Sequence, residues 1–310
     1  MYGSQVWGTA FVRQGQEFVS ALQVRHLAFL KRTLGVKRTT CNWSLLRECG
    51  HLPLQFNWFK SVVKMYNSML ECNSTTVRKV LQADVKMHPR AAKCWTAQML
   101  DGFHDLHRCD DFVSAVRNGV PIKLQDFTDN LRLRIRDVWG TANDVGSRSS
   151  VSLYEAFFGI PFDKDVRAPV WLPHYMSQDH SKHVMRNVSR FRLRAHTLLV
   201  DRAIWSHGAG SPICDQCDLH EVQDEAHVLF KCTCPEICQL RRKYSTLFLQ
   251  TAHLSSATSC VQFVNKPMMY NFLSQANYKL SRFVSELMDL CEAGLGQHQT
   301  DQPTFLAEGP

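Results

Sequence analysis

Five of the twelve cysteines in this 310-residue chain crowd into one short segment, as Cys214, Cys217, Cys232, Cys234 and Cys238. Residues 214 to 232 read CDQCDLHEVQDEAHVLFKC, which gives Cys214-x2-Cys217-x9-His227-x4-Cys232. Two thiolates separated by two residues can grip one ion from a tight turn. A His and a Cys five positions apart can complete a tetrahedron from the end of a short helix. Zinc suits such a set best, and three sulfurs with one imidazole leave no coordination position open, so the expected site is structural rather than catalytic. Asp224 is placed to cap the short helix, and Val228, Leu229 and Phe230 supply apolar anchors. Cys234 in place of Cys232, or His220 in place of His227, would serve the same chemistry. Cys238 reads as a packed thiol on the following helix, and chance proximity of reduced thiols is the plain alternative to the whole pattern. The remaining seven cysteines sit singly among apolar neighbours, where a thiol packs as a small hydrophobe.

The charge pattern offers a second chemistry. Between residues 181 and 207 stand Lys182, Arg186, Arg190, Arg192, Arg194 and Arg202 against one acid, Asp201, and Arg241-Arg242-Lys243 follows the cysteine segment. The loop between the ligands is acidic, with Asp215, Asp218, Glu221, Asp224 and Glu225. Contact with RNA or DNA phosphates would therefore fall to Arg186, Arg190, Arg192, Arg194, Arg241, Arg242 and Lys243, with salt-dependent affinity and little sequence preference. A solvated helix face accounts for the same residues without any partner. No Gly-rich phosphate loop, His-Glu-x-x-His pair or Gly-x-Ser-x-Gly turn occurs. The one pair of adjacent carboxylates, Asp110-Asp111, falls at an expected helix start, where acids favour the helix dipole, so it is read as a cap rather than a metal site.

Helices must position these residues, because apolar side chains return at three and four along most of the chain. Expected segments are Glu17 to Leu34, closed by Gly35, with Phe18, Leu22, Leu27, Leu30 and Leu34 inward. A helix capped by Asn57 carries Trp58, Phe59, Val62, Val63, Tyr66, Met69 and Leu70. Weaker patterns cover Thr75 to Val85, Arg90 to His107, Asp110 to Val116 and Asp126 to Ala142. A single long helix is expected from Ser181 to Trp205, another opens at Pro235, and a last one runs from about Pro267 to Gly294. The fold class is mainly α: a helical domain over 1–143, a linker with a short helix and a Pro-rich stretch over 144–180, a basic helix plus zinc-stapled helical module over 181–292, and a flexible tail over 293–310. With 36 Lys plus Arg against 28 Asp plus Glu, the formal charge is +8, which permits an anionic partner. No signal peptide or membrane-length apolar run is visible, so an intracellular, soluble protein is expected.

The arginine-rich stretch Phe191-Arg192-Leu193-Arg194-Ala195-His196, then Cys-x2-Cys, then Glu225-Ala226-His227-Val228-Leu229-Phe230-Lys231-Cys232-x-Cys-Pro, resembles the C-terminal zinc-binding region of non-LTR (LINE-type) retrotransposon reverse transcriptases. Upstream, Met1 to Gly8, Phe29 to Val36, Leu45 to Gly50 and Pro53-Leu54 resemble the helical connection between polymerase and zinc module in those proteins. The resemblance implies metal binding by Cys214, Cys217, His227 and Cys232. It implies no polymerase chemistry, because Arg108 stands where the aromatic residue of the two-aspartate palm motif would be. A nucleic-acid-binding C-terminal fragment, itself not an enzyme and separated from its polymerase domain, is thus the leading expectation. A zinc-stabilised helical module with a protein partner, or a degenerate fragment without nucleic-acid activity, is the alternative.

Overall fold

The computed structural model describes residues 20–87, 94–104, 106, 108–143, 154, 172–205, 210–249 and 266–298. Residues 144–153 and 155–171 of the expected linker, with most of its Pro-rich stretch, and the tail beyond His298 lie outside them. Apart from one antiparallel bridge, Ile213 to Val222, the regular structure of the described residues is helical, so the chain is mainly α. Among these residues no helix is long and apolar enough to cross a membrane. The chain divides into two compact units: Met1–Phe29, Leu45–Ser149 and Pro161–Trp171 form the first, and Leu30–Ser44, Ser150–Ile160 and Leu172–Pro310 the second.

In order, the helices up to residue 143 are α1 (Ala21–Leu34), α2 (Asn42–Glu48), α3 (Leu54–Glu71), α4 (Thr75–Met87), α5 (Trp95–Phe103), α6 (Cys109–Arg117) and α7 (Leu124–Asn143). The core of the first unit gathers on α3, which buries Phe56, Trp58, Phe59, Val62, Val63 and Tyr66 at helical spacing. Phe59 stacks on Phe103 at 5.3 Å between ring centroids and meets the edge of Phe127 at 4.9 Å. Helix α3 starts a turn before Asn57, which is exposed and inside the helix. The reason is local: the buried Gln23 carbonyl accepts the Leu54 N–H at 2.6 Å and satisfies a donor that a helix start leaves open. Gln23 also takes the inward position, and Leu22, expected on that stripe, is 49% exposed. Asp84 on α4 accepts the Thr96 N–H at 2.8 Å and so caps α5 from a neighbouring helix. Asp110 and Asp111 occupy the first turn of α6, with Arg108 Nε donating to Asp111 at 2.7 Å.

The second unit takes the end of α1, where Gly35 adopts φ +67° and Val36 N–H donates back to Lys31 O at 3.0 Å. Only glycine enters this left-handed position without a Cβ penalty. Here a Cβ would also lie 3.2 Å from Arg186 Cδ. After a 3-10 turn at His174–Ser177 come α8 (Lys182–Arg192), α9 (Leu199–Trp205), α10 (Pro235–Lys243), α11 (Ser245–Leu249), α12 (Lys266–Leu273) and α13 (Tyr278–His298). Two long helices expected from periodicity are each broken. Ser181 to Trp205 stops at Arg192, because Arg194 turns left-handed at φ +49° and Ala195 N–H closes onto Arg190 O at 2.8 Å. A left-handed non-glycine residue costs about 1 to 2 kcal/mol, and the buried ion pairs of Arg194 offset it. Pro267 to Gly294 splits at Ser274, where Gln275 Nε2 donates to Leu247 O at 3.1 Å and Asn277 Oδ1 accepts the Lys279 N–H that opens α13. Helix α13 packs on α8 and α10. Asn187 donates to Asp289 at 2.8 Å, while Phe230, Phe248, Phe272 and Phe283 interlock in the core.

Candidate metal centre

Cys214 and Cys217 sit on a narrow hairpin. Cys214 N–H donates to Glu221 O at 2.8 Å, and Gln223 N–H donates to Pro212 O at 2.9 Å, so the chain returns antiparallel after a tight turn in which His220 is left-handed at φ +51°. The second pair stands on the segment that follows. Asp224 Oδ1 accepts the His227 N–H at 2.8 Å, as its sequence position predicts, and the backbone then winds with π geometry over His227–Lys231. That winding decides the site. In an α-helix at 3.6 residues per turn, five positions span about 1.4 turns and separate two side chains widely. Closure from Cys232 N–H to His227 O, at 2.8 Å, instead sets Cys232 over His227. Val228 and Leu229 are fully buried and Phe230 nearly so, which roots the turn in the core. Burial of each such side chain contributes roughly 1.5 to 3 kcal/mol.

The result is a cluster in which Cys214, Cys217, His227 and Cys232 bring one ligand atom each within 4.8 Å of all the others. These four residues could hold a metal ion. Cys217 Sγ lies 3.4 Å from His227 Nε2, close to the roughly 3.5 Å between a sulfur and a nitrogen ligand on a tetrahedral zinc with bonds of about 2.3 and 2.0 Å. Nε2 is therefore the ring nitrogen placed to ligate an ion. The other ring nitrogen, Nδ1, is buried and has a Glu221 oxygen at 3.6 Å, and Glu221 is itself held by Lys231 Nζ at 2.9 Å. A carboxylate behind a ligating imidazole fixes ring orientation and raises ligand basicity. Hydrogen bonding from Cys232 and His227 holds the Cys214 thiol at about 3 against the opposing effect of burial, while Cys232, sharing its proton with Cys214, is pushed up. Cys234 and His220 are not in the cluster. Cys234 Sγ bonds Glu236 Oε2 at 2.9 Å at the start of α10, and His220 is exposed on the hairpin tip.

Beside the cluster lies a buried ionic group whose contacts join distant parts of the second unit. Arg194 reaches Asp201 at 3.0 Å and Glu225 at 2.9 Å. His196, wholly buried, faces Asp201 with Nδ1 at 3.2 Å and Glu225 with Nε2 at 3.1 Å, and Lys37 donates to the His196 carbonyl at 3.1 Å. Burial alone would raise both acids. At Glu225 hydrogen bonding and charge from His196 and Arg194 outweigh it and hold the carboxyl at about 2, whereas at Asp201 burial prevails and the carboxyl is raised. Sequence periodicity gave no sign of this group. Its one available hint was Asp201, the lone acid among arginines.

The cations assigned to phosphate from the sequence have varied fates. Arg194 is engaged as above, and Arg241 is buried and donates to the Cys232 carbonyl. Little of either guanidinium remains for an outside anion. Arg190 pairs with Glu292, and Lys243 with Glu286 at 2.6 Å. Arg192 stands over the Tyr175 ring at 5.6 Å, Arg186 lies partly buried, and Arg242 is exposed. Comparison of the chain with models of protein families, with curated proteins and with solved structures finds no match in any of the three.

Proposed function

We propose that the second unit is a zinc-stapled helical module, of the kind found at the C-terminal end of LINE-type reverse transcriptases, and that its work is to hold nucleic acid rather than to catalyse. The observation that carries the zinc half is the convergence of three sulfurs and one imidazole nitrogen within 4.8 Å, three of the four residues buried and Cys217 partly so, with no fifth donor in the set. When bound, zinc supplies cross-linking and charge neutralisation. The chain's own residues do the rest: the hairpin presents Cys214 and Cys217, the π turn presents His227 and Cys232, and the Glu221 carboxylate stands 3.6 Å behind the imidazole.

The nucleic-acid half is supported by the resemblance of the Cys/His segment and its arginine-rich approach, and by the net charge of +8. Phosphate contact falls to the exposed cations Lys182, Arg202 and Arg242 more than to the ion-paired Arg194 and the buried Arg241. The full chain is expected to shift labelled single-stranded RNA or DNA, with log affinity falling linearly as log salt rises. Reversing Lys182, Arg202 and Arg242 to glutamate should remove the shift and leave the unfolding midpoint in place. Binding that ignores salt, or that survives the three reversals, would favour the protein-interaction reading instead. Reverse transcription by this chain is not expected, and incorporation of nucleotides on a primed template would overturn that.

A further inference from the structure

Arg241 is 4% exposed, and among the described residues its one hydrogen bond is to the main-chain carbonyl of Cys232, while its Nε is buried without a partner. Among the described residues no carboxylate stands within ion-pair distance of it. A guanidinium stripped of water in this way is costly unless a negative charge lies nearby. The contact it does make leads to the ligand set, through the main chain of Cys232. Three thiolates around a divalent ion carry a net charge of −1, and one of them belongs to the residue whose carbonyl Arg241 grips.

We propose that Arg241 is the internal counter-charge of the metal centre: it positions Cys232 and balances the surplus negative charge of the loaded Cys3His site. This rests on the metal-binding reading above. It also accounts for a cation buried in the last turn of α10, where a phosphate contact would need exposure. Two consequences distinguish it from simple packing. Neutralising the side chain weakens the loaded state, in which the surplus charge exists. The same change relieves the metal-free state, which keeps a buried cation with less to balance it.

The test compares full-length wild type with Arg241→Met, which keeps most of the volume without the charge, and Arg241→Lys, which keeps the charge. Zinc affinity is measured by competition with a chromophoric chelator, and denaturant midpoints are measured with zinc and with chelator present. The expected result is an affinity about 10- to 100-fold lower in Arg241→Met, with much of it recovered in Arg241→Lys, and a chelated-form midpoint equal to or above that of wild type. Equal zinc affinity in wild type and Arg241→Met overturns the proposal, as does a loss of midpoint in Arg241→Met that is the same with and without zinc. Failure of wild type to bind zinc at all would instead remove the metal reading on which this one rests.

Discussion

Cys232→Ser is expected to abolish metal binding, taking the purified protein from one equivalent of zinc to none, while Cys234→Ser keeps the full equivalent. The contrast follows from placement: Cys232 Sγ is within the ligand cluster and fully buried, whereas Cys234 Sγ is turned to Glu236. Binding free energy at a structural zinc site is folding free energy, on the order of 10 kcal/mol for small zinc modules. Here the loss should be concentrated where the metal holds the chain. Residues 212–232 make few backbone bonds beyond the hairpin and the π turn, and hydrogen exchange there should rise by orders of magnitude in Cys232→Ser or under chelation. The first unit, with its own core around Phe59, Phe103 and Phe127, should be unaffected. Elemental analysis and exchange mass spectrometry check both halves. Retention of zinc by Cys232→Ser, or its loss from Cys234→Ser, would show that the fourth ligand is misassigned.

The second large effect is expected at Glu225. Changing it to Gln removes one of the two carboxylates that engage Arg194 and His196 in a largely water-free group. Breaking such a buried set from one side costs about 3 to 5 kcal/mol, and its pH dependence has a definite sign. The Glu225 carboxyl is held at about 2, below its ordinary value of 4.5, so its charged form contributes fully above about pH 4.5 and that contribution fades as pH falls toward 2. Asp201, raised in the folded protein, takes up its proton earlier on acidification and works in the opposite direction. The stability gap between wild type and Glu225→Gln, read from urea unfolding of both proteins at each pH, should therefore be widest near neutrality and close progressively below pH 4.5. A gap under about 1 kcal/mol that does not change with pH would be inconsistent with a charged Glu225.

The sequence carried the ligand set because metal spacing is local: a hairpin and one turn of chain bring the four side chains together. Core stripes were legible for the same reason, as with Trp58, Phe59, Val62, Val63 and Tyr66 along one helix. What periodicity missed was decided by partners far along the chain. Nothing near Leu54 reveals that Gln23 will start its helix early, and nothing in residues 186–194 reveals that Glu225 and Glu292 will draw arginines inward. A basic helix face and a set of buried ion pairs are alike in sequence until the acids across the fold are known. The breaks at Arg194 and Ser274 were hidden because apolar spacing continued through them, while the backbone closed onto Arg190 at the first and met a bond to Leu247 from outside the segment at the second.

The wide turn at His227–Lys231 makes the interval between the last two ligands a length standard. Removing a single residue between Val228 and Lys231 would restore ordinary winding and swing the final sulfur away from the other two and the imidazole. Side chains along that interval can change as far as the core allows, but an insertion or deletion of even one position dismantles the clamp. Variation that preserves this module is therefore confined to substitution there, and changes in length belong on the hairpin tip around Leu219 and His220, where the chain is exposed.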